Sequence, residues 1–195
     1  ERRWGHPSPG ALKFRSDFYQ MHSQELKSSE FVTLPKDNVE EKILSGLSSH
    51  NGIHYIKLHG SYGWQSSNGL NQLVIGTKKE SLIKSEPLLR DYFDLLKKVI
   101  GQNNKKVLII GYGFRDVHIN NALLKGVQDN NLRVYILSTQ SPESLKYQVE
   151  HGHYYAKDIF NGLNGYFPYS LKDVFPGSQE RTVHFDQLVT ALTSE

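Results

Sequence analysis

Apolar and polar positions follow a strand or helix period over most of residues 53–150. Ile53-His54-Tyr55-Ile56-Lys57-Leu58 is β-branched and aromatic, with Ile56 and Leu58 flanking Lys57, and predicts a strand that ends at His59. A Gly/Ser/Asn-rich stretch follows, and Gln72-Leu73-Val74-Ile75 reads as a second strand closed by Gly76. Glu86-Pro87 opens a helix with apolar residues at positions 88, 89, 92, 93, 95, 96, 99 and 100, ended by Gly101. Lys106 to Ile110 is a continuous apolar run of the kind buried on both faces of a parallel sheet, followed by the short turn Gly111 to Arg115. Asp116 stands where it would cap a helix from Val117 to about Val127, its buried side carrying Ile119, Ala122, Leu123 and Val127. Asp129-Asn130-Asn131 breaks that helix, Leu132 to Leu137 is the next strand, and Ser141-Pro142-Glu143 starts another helix.

The β-α-β-α order from residue 106 to about 150 predicts a doubly wound, mainly parallel α/β sheet. Upstream, Trp4 to Gly10 reads as a loop, Phe31 to Leu34 as a short β run, and Asn38 to Gly46 as a short helix carrying Val39, Ile43 and Leu44. Beyond His151 the chain is aromatic and irregular, with a helix expected from Phe185 to Thr193.

Composition narrows the class. Apolar residues make up 37% of the 195, and with 16 glycines the chain sits at the lower edge of ordinary globular usage, which argues against disorder. Its longest aliphatic run, Val107 to Ile110, is far too short to span a membrane. The net charge is +3 and the lysine pairs are scattered, so direct nucleic-acid binding is not expected. The chain has no cysteine, which excludes a disulfide scaffold, a cysteine nucleophile and a thiolate zinc site. With no apolar segment behind Arg2-Arg3 to serve as a secretory signal, the expected compartment is the cytoplasm. A chain that opens on Glu1 reads as a piece of a longer protein.

Three places carry candidate chemistry. His59-Gly60-Ser61, at the expected strand end, offers either a proton acceptor near neutral pH or a buried ring donating to a carbonyl. Gly111-x-Gly113, between a strand and a helix, is either a nucleotide-binding turn or simply a turn. Asp116 is either a cap or an acid. His151-Gly152-His153 has too few ligands nearby for a metal site, and no P-loop or hydrolase elbow is present. The tyrosine-rich tail either packs on the sheet or docks on a partner.

Tyr55-Ile56-Lys57-Leu58-His59-Gly60-Ser61-Tyr62-Gly63-Trp64 and Val107-Leu108-Ile109-Ile110-Gly111-Tyr112-Gly113-Phe114-Arg115-Asp116-Val117-His118-Ile119-Asn120 together resemble the sirtuin-like domains of bacterial anti-phage defence proteins. The resemblance implies a Rossmann-like NAD-binding domain that cleaves the nicotinamide-ribose bond, with NAD as substrate and no metal. It makes His59 the catalytic histidine, followed by Gly60 and Ser61. Gly111, Tyr112, Gly113, Phe114 and Asp116 would line the adenosine and ribose half of the pocket, with Ser138 after the next strand. Residues 1–145 would form the carboxyl-terminal part of that domain, and residues 146–195 an aromatic-rich tail packed on it. An oligomer or a defence-complex partner protein is also implied, and a non-catalytic NAD-sensing or assembly module is the alternative. Protein-deacylating sirtuins carry a four-cysteine zinc module that this chain lacks, so plain NAD hydrolysis is favoured over deacylation.

The family's glycine-alanine-glycine phosphate turn and its threonine-x-asparagine-x-aspartate motif would precede residue 1. Donors that hold the diphosphate in register with His59 would then be missing. Residues 1–195 alone are therefore expected to cleave little or no NAD while a longer parent is active. A fluorescent NAD analogue at micromolar enzyme measures this, and turnover equal to the parent's would show the upstream half to be dispensable.

Overall fold

The computed structural model describes residues 32–33, 56–65, 71–152, 156–177 and 181–194. The loop expected at residues 4–10 and the helix expected at 38–46 lie outside them. The chain divides into two compact units, residues 1–96 and 97–195.

In the first unit a three-stranded sheet has the order β1 (Val32–Thr33), β2 (Gly60–Gln65), β3 (Asn71–Leu73). β1 runs parallel to β2, with Val32 opposite Trp64, and β3 runs antiparallel to it, with Gly60 opposite Leu73. Two helices follow, α1 (Lys79–Ser85) and α2 (Pro87–Ile100), the second as its apolar spacing predicts. Its buried stripe of Leu88, Leu89, Tyr92 and Leu95 joins Trp64, Val74 and Ile83 in one cluster, with Ile56, Leu58 and Phe93 packed against it.

The strand expected to run into His59 is corrected. Ile56 and Lys57 are not in a strand, Leu58 and His59 lie in a turn closed by the Gly60 N–H donating to the Lys57 carbonyl at 3.0 Å, and the strand begins at Gly60. Ile56 and Leu58 do pack against the same cluster, as the alternation requires, but without forming a strand. Residues 53–55 lie outside the described residues.

The second unit contains the parallel sheet: β4 (Lys106–Ile110), α3 (Val117–Asn130), β5 (Arg133–Leu137), α4 (Pro142–Gly152), α5 (Ala156–Ile159), a 3-10 turn (Phe160–Gly162) and β6 (Leu163–Phe167). The order is β4-β5-β6 and both pairings are parallel, so each needs a crossover, supplied by α3 and by α4 with α5. Two helices close the unit, α6 (Leu171–Val174) and α7 (Val183–Thr193). Val174 and Leu188 from them bury Leu137, with Leu108, Phe167 and Phe185 around it. Val134 and Ile136, which alternate onto the opposite face, are buried as well. Both faces of the sheet are covered, as in an α/β Rossmann-like fold.

Two expectations change here. β4 is not buried on both faces: Ile109 is buried and Ile110 is 43% exposed. β4 lies at the end of this strand order, and the doubly buried strand is the central β5. The tail is not irregular either, since it contributes β6. Gly165 sits in that strand where a Cβ would come within 2.7 Å of the Tyr135 ring, so glycine is what lets β6 pair at this register.

Glu86 links α1 to α2. Its carboxylate accepts a hydrogen bond from the Leu88 amide in the first turn of α2, and burial raises its pKa because desolvation outweighs that bond. A carboxyl whose folded value exceeds its unfolded value loses stability as pH climbs from the ordinary glutamate range through the folded value. Glu86→Gln keeps the acceptor and removes the charge. It is expected to melt at the same temperature as the parent or higher at pH 7, with the difference closing as the pH falls into the glutamate range. A parent that gains on the variant as pH rises contradicts this assignment.

Candidate functional site

The carboxyl edge of the β4-β5-β6 sheet carries two turns, one after β4 and one after β5. Gly111 leaves β4 with φ +64, a left-handed conformation natural to glycine, and a Cβ placed on it would have nothing within 4 Å. The backbone needs glycine at this position, and the space beside it is open. Phe114 is also left-handed, φ +54, at a cost of roughly 1–2 kcal/mol for an L-residue. Its ring offsets that cost, being 0% exposed and packed 4.9 Å from Tyr112 and 5.8 Å from Phe160, centroid to centroid.

The turn is held from the helix it precedes. Asn120, 0% exposed on α3, donates from Nδ2 to the Phe114 carbonyl at 2.8 Å. Its Oδ1 accepts from the Tyr112 hydroxyl at 2.8 Å, and the Asp116 carbonyl lies 3.2 Å from the same hydroxyl. Burial raises the Tyr112 pKa, and the nearby Asp116 carboxylate raises it further. The phenol therefore stays a neutral donor at any physiological pH.

Asp116 occupies the N-cap position of α3, yet its side chain makes no capping hydrogen bond. The expectation of a cap holds for the position and fails for the chemistry. The Asp116 carbonyl does take the Ile119 and Asn120 amides, at 3.0 and 2.9 Å, so the backbone starts the helix. The carboxylate still lies at the positive end of the helix dipole. The buried side of α3 keeps the expected Ala122 and Leu123, while Ile119 and Val127 are only half-buried and His118, Asn120, Leu124 and Gly126 are buried.

After β5, the Ser138 amide donates to the Phe167 carbonyl at 3.1 Å, and the Ser138 hydroxyl accepts from the Gln140 amide at 3.2 Å. Gly111, Tyr112, Gly113, Phe114 and Asp116 thus form one turn, and Ser138 opens the next at the same sheet edge. His59 belongs to the first unit, in the turn ahead of β2. Its carbonyl accepts the Val74 amide at 2.9 Å, and its side chain is half-buried. Gly60 begins β2 with φ +73, and Ser61 follows it on the same strand. Two residues before His59, burial lowers the Lys57 pKa, and Nζ sits 5.5 Å from the centre of the Trp64 ring.

Residues 16–159, more than half of the chain, match the family model described as SIR2-like domain. The chain belongs to the SIR2-like domain family. Membership ties it to NAD chemistry, since SIR2-like domains are often NAD-dependent enzymes. No curated protein and no solved structure gives a significant match. Among the described residues, no helix of this SIR2-like domain is long and apolar enough to cross a membrane.

Sequence reasoning passed over Asn120. The available signal was an amide on an apolar helix face, three and four residues ahead of Leu123 and Leu124. Asn120→Ala takes the Asn120 donor from the Phe114 carbonyl and leaves the Tyr112 hydroxyl only the Asp116 carbonyl, at an expected cost of about 1–3 kcal/mol. Asn121→Ala, on the exposed side, should stay within about 0.5 kcal/mol. Urea titrations measure both, and equal midpoints for the two variants would contradict the assigned role.

Proposed function

We infer that the protein carrying this chain hydrolyses NAD to nicotinamide and ADP-ribose in anti-phage defence, with His59 as the catalytic histidine. Gly60 and Ser61 accompany it, and Gly111, Tyr112, Gly113, Phe114 and Asp116, with Ser138, bind the adenosine and ribose half. The observation that carries this reading is SIR2-like family membership, joined to a preorganised turn between a parallel strand and a helix.

Asp116 in that turn suits a ribose better than a phosphate. Asp116 brings a carboxylate, which accepts hydrogen bonds from hydroxyl groups and repels an anion. Tyr112 beside it is a neutral phenol, and the space at Gly111 is open to a ligand.

In the reaction, the bond from the nicotinamide nitrogen to the anomeric carbon breaks and its electron pair returns to the ring, so nicotinamide leaves neutral. Water supplies the oxygen that bonds the anomeric carbon, and one proton is released. A neutral imidazole at His59 accepts a proton from a ribose hydroxyl or from that water, a contribution of about 10²- to 10⁴-fold for a positioned general base. The absence of any cysteine keeps deacylation with a four-cysteine zinc module in second place.

Nicotinamide release from NAD, followed by chromatography on the protein that carries this chain, tests the reading. His59→Ala is expected to reduce turnover at least about 100-fold with the melting temperature unchanged. Turnover that survives the substitution overturns the role of His59. NAD binding with no turnover in the parent points instead to a sensing or assembly module of a defence complex.

A further inference from the structure

Residues beyond 159 lie outside the family match, yet they reach both turns at the sheet edge. Phe160 packs on Phe114 after β4. After β5, the Tyr166 hydroxyl donates to the Gln140 carbonyl at 2.9 Å, and the Phe167 carbonyl takes the Ser138 amide. Residues 138–140 are therefore organised by three hydrogen bonds, two of them arriving from β6. The third is internal, from the Gln140 amide to the Ser138 hydroxyl. With its oxygen accepting there, that hydroxyl has its own proton to give to a ligand.

We propose that Tyr166 is a positioning residue for the adenosine-side ribose of NAD, acting by fixing the 138–140 turn that presents Ser138. The assignment rests on the NAD reading above. It extends the working part of the domain past the family match, to a hydroxyl 26 residues from the carbonyl it holds. The tyrosine ring sits on β6, where Tyr166 pairs with Ile136, so removing the hydroxyl leaves the strand pairing in place.

Calorimetry with NAD and with AMP, on the protein that carries this chain, tests it. Tyr166→Phe is expected to raise both dissociation constants by the same factor, about three- to tenfold, the worth of one hydrogen bond. Tyr169→Phe, which removes a tail hydroxyl bonded to Gln187 at 3.3 Å, is the control expected to change neither. Ser138→Ala combined with Tyr166→Phe should lose less than the sum of the two, because both act through one turn. A purely structural role gives additive losses or unchanged constants, and either result overturns the proposal. A parent that binds NAD without releasing nicotinamide refutes hydrolysis alone, and the Tyr166→Phe constants still decide this assignment. A parent that binds neither NAD nor AMP overturns both.

Discussion

The hydrogen bond from the Asn120 amide to the Phe114 carbonyl is the constraint on which the β4–α3 turn depends. A left-handed phenylalanine is an unfavourable backbone state, and a buried carbonyl without a partner is another. Asn120 removes the second penalty, and the buried Phe114 ring offsets the first. Because Asn120 also accepts from Tyr112, one side chain on α3 holds the start and the middle of the turn. A buried amide whose donor and acceptor are both used specifies one arrangement in a way that an apolar contact of similar size does not.

The same economy is visible after β5. The carboxyl edge of a parallel sheet consists of loops, which lack the repeating ladder that holds strands together. Here the loops are tied by side chains from elements already fixed by the core: Asn120 from α3, Tyr166 from β6. At the other end of the sheet, Lys106 donates from Nζ to the Ala191 and Ser194 carbonyls at the end of α7, where a cation suits the helix dipole. Both edges of the sheet are thus held by long polar side chains, and the faces by apolar ones.

The electrostatic character of the β4–α3 turn follows from burial. Tyr112 is kept neutral by its surroundings and by the carboxylate of Asp116, so the turn presents a phenol and the Asp116 carboxylate, with the exposed Arg115 cation next to Asp116 in the chain. The phenol and the carboxylate are the groups that the proposed ribose site would use toward hydroxyls.

Local periodicity made much of the second unit legible. The apolar run at 106–110, the helix from 117, the strand at 133–137 and the helix from Pro142 each encode their own type within a few residues, because strand and helix periods are local properties. The motif around Gly111 was legible for the same reason, being contiguous. Tertiary structure decided the rest. β6 reads poorly as a strand, since Asn164 and Gly165 have weak β propensity, and glycine is required by the approach of Tyr135 from the neighbouring strand. The segment leading into His59 copies the alternation of a strand, and the Gly60 to Lys57 bond resolves its end as a turn that contains His59. Asn120 acts through two hydrogen bonds and Tyr166 through one, their partners chosen by packing, and no periodicity in the chain records which carbonyl a buried donor will meet.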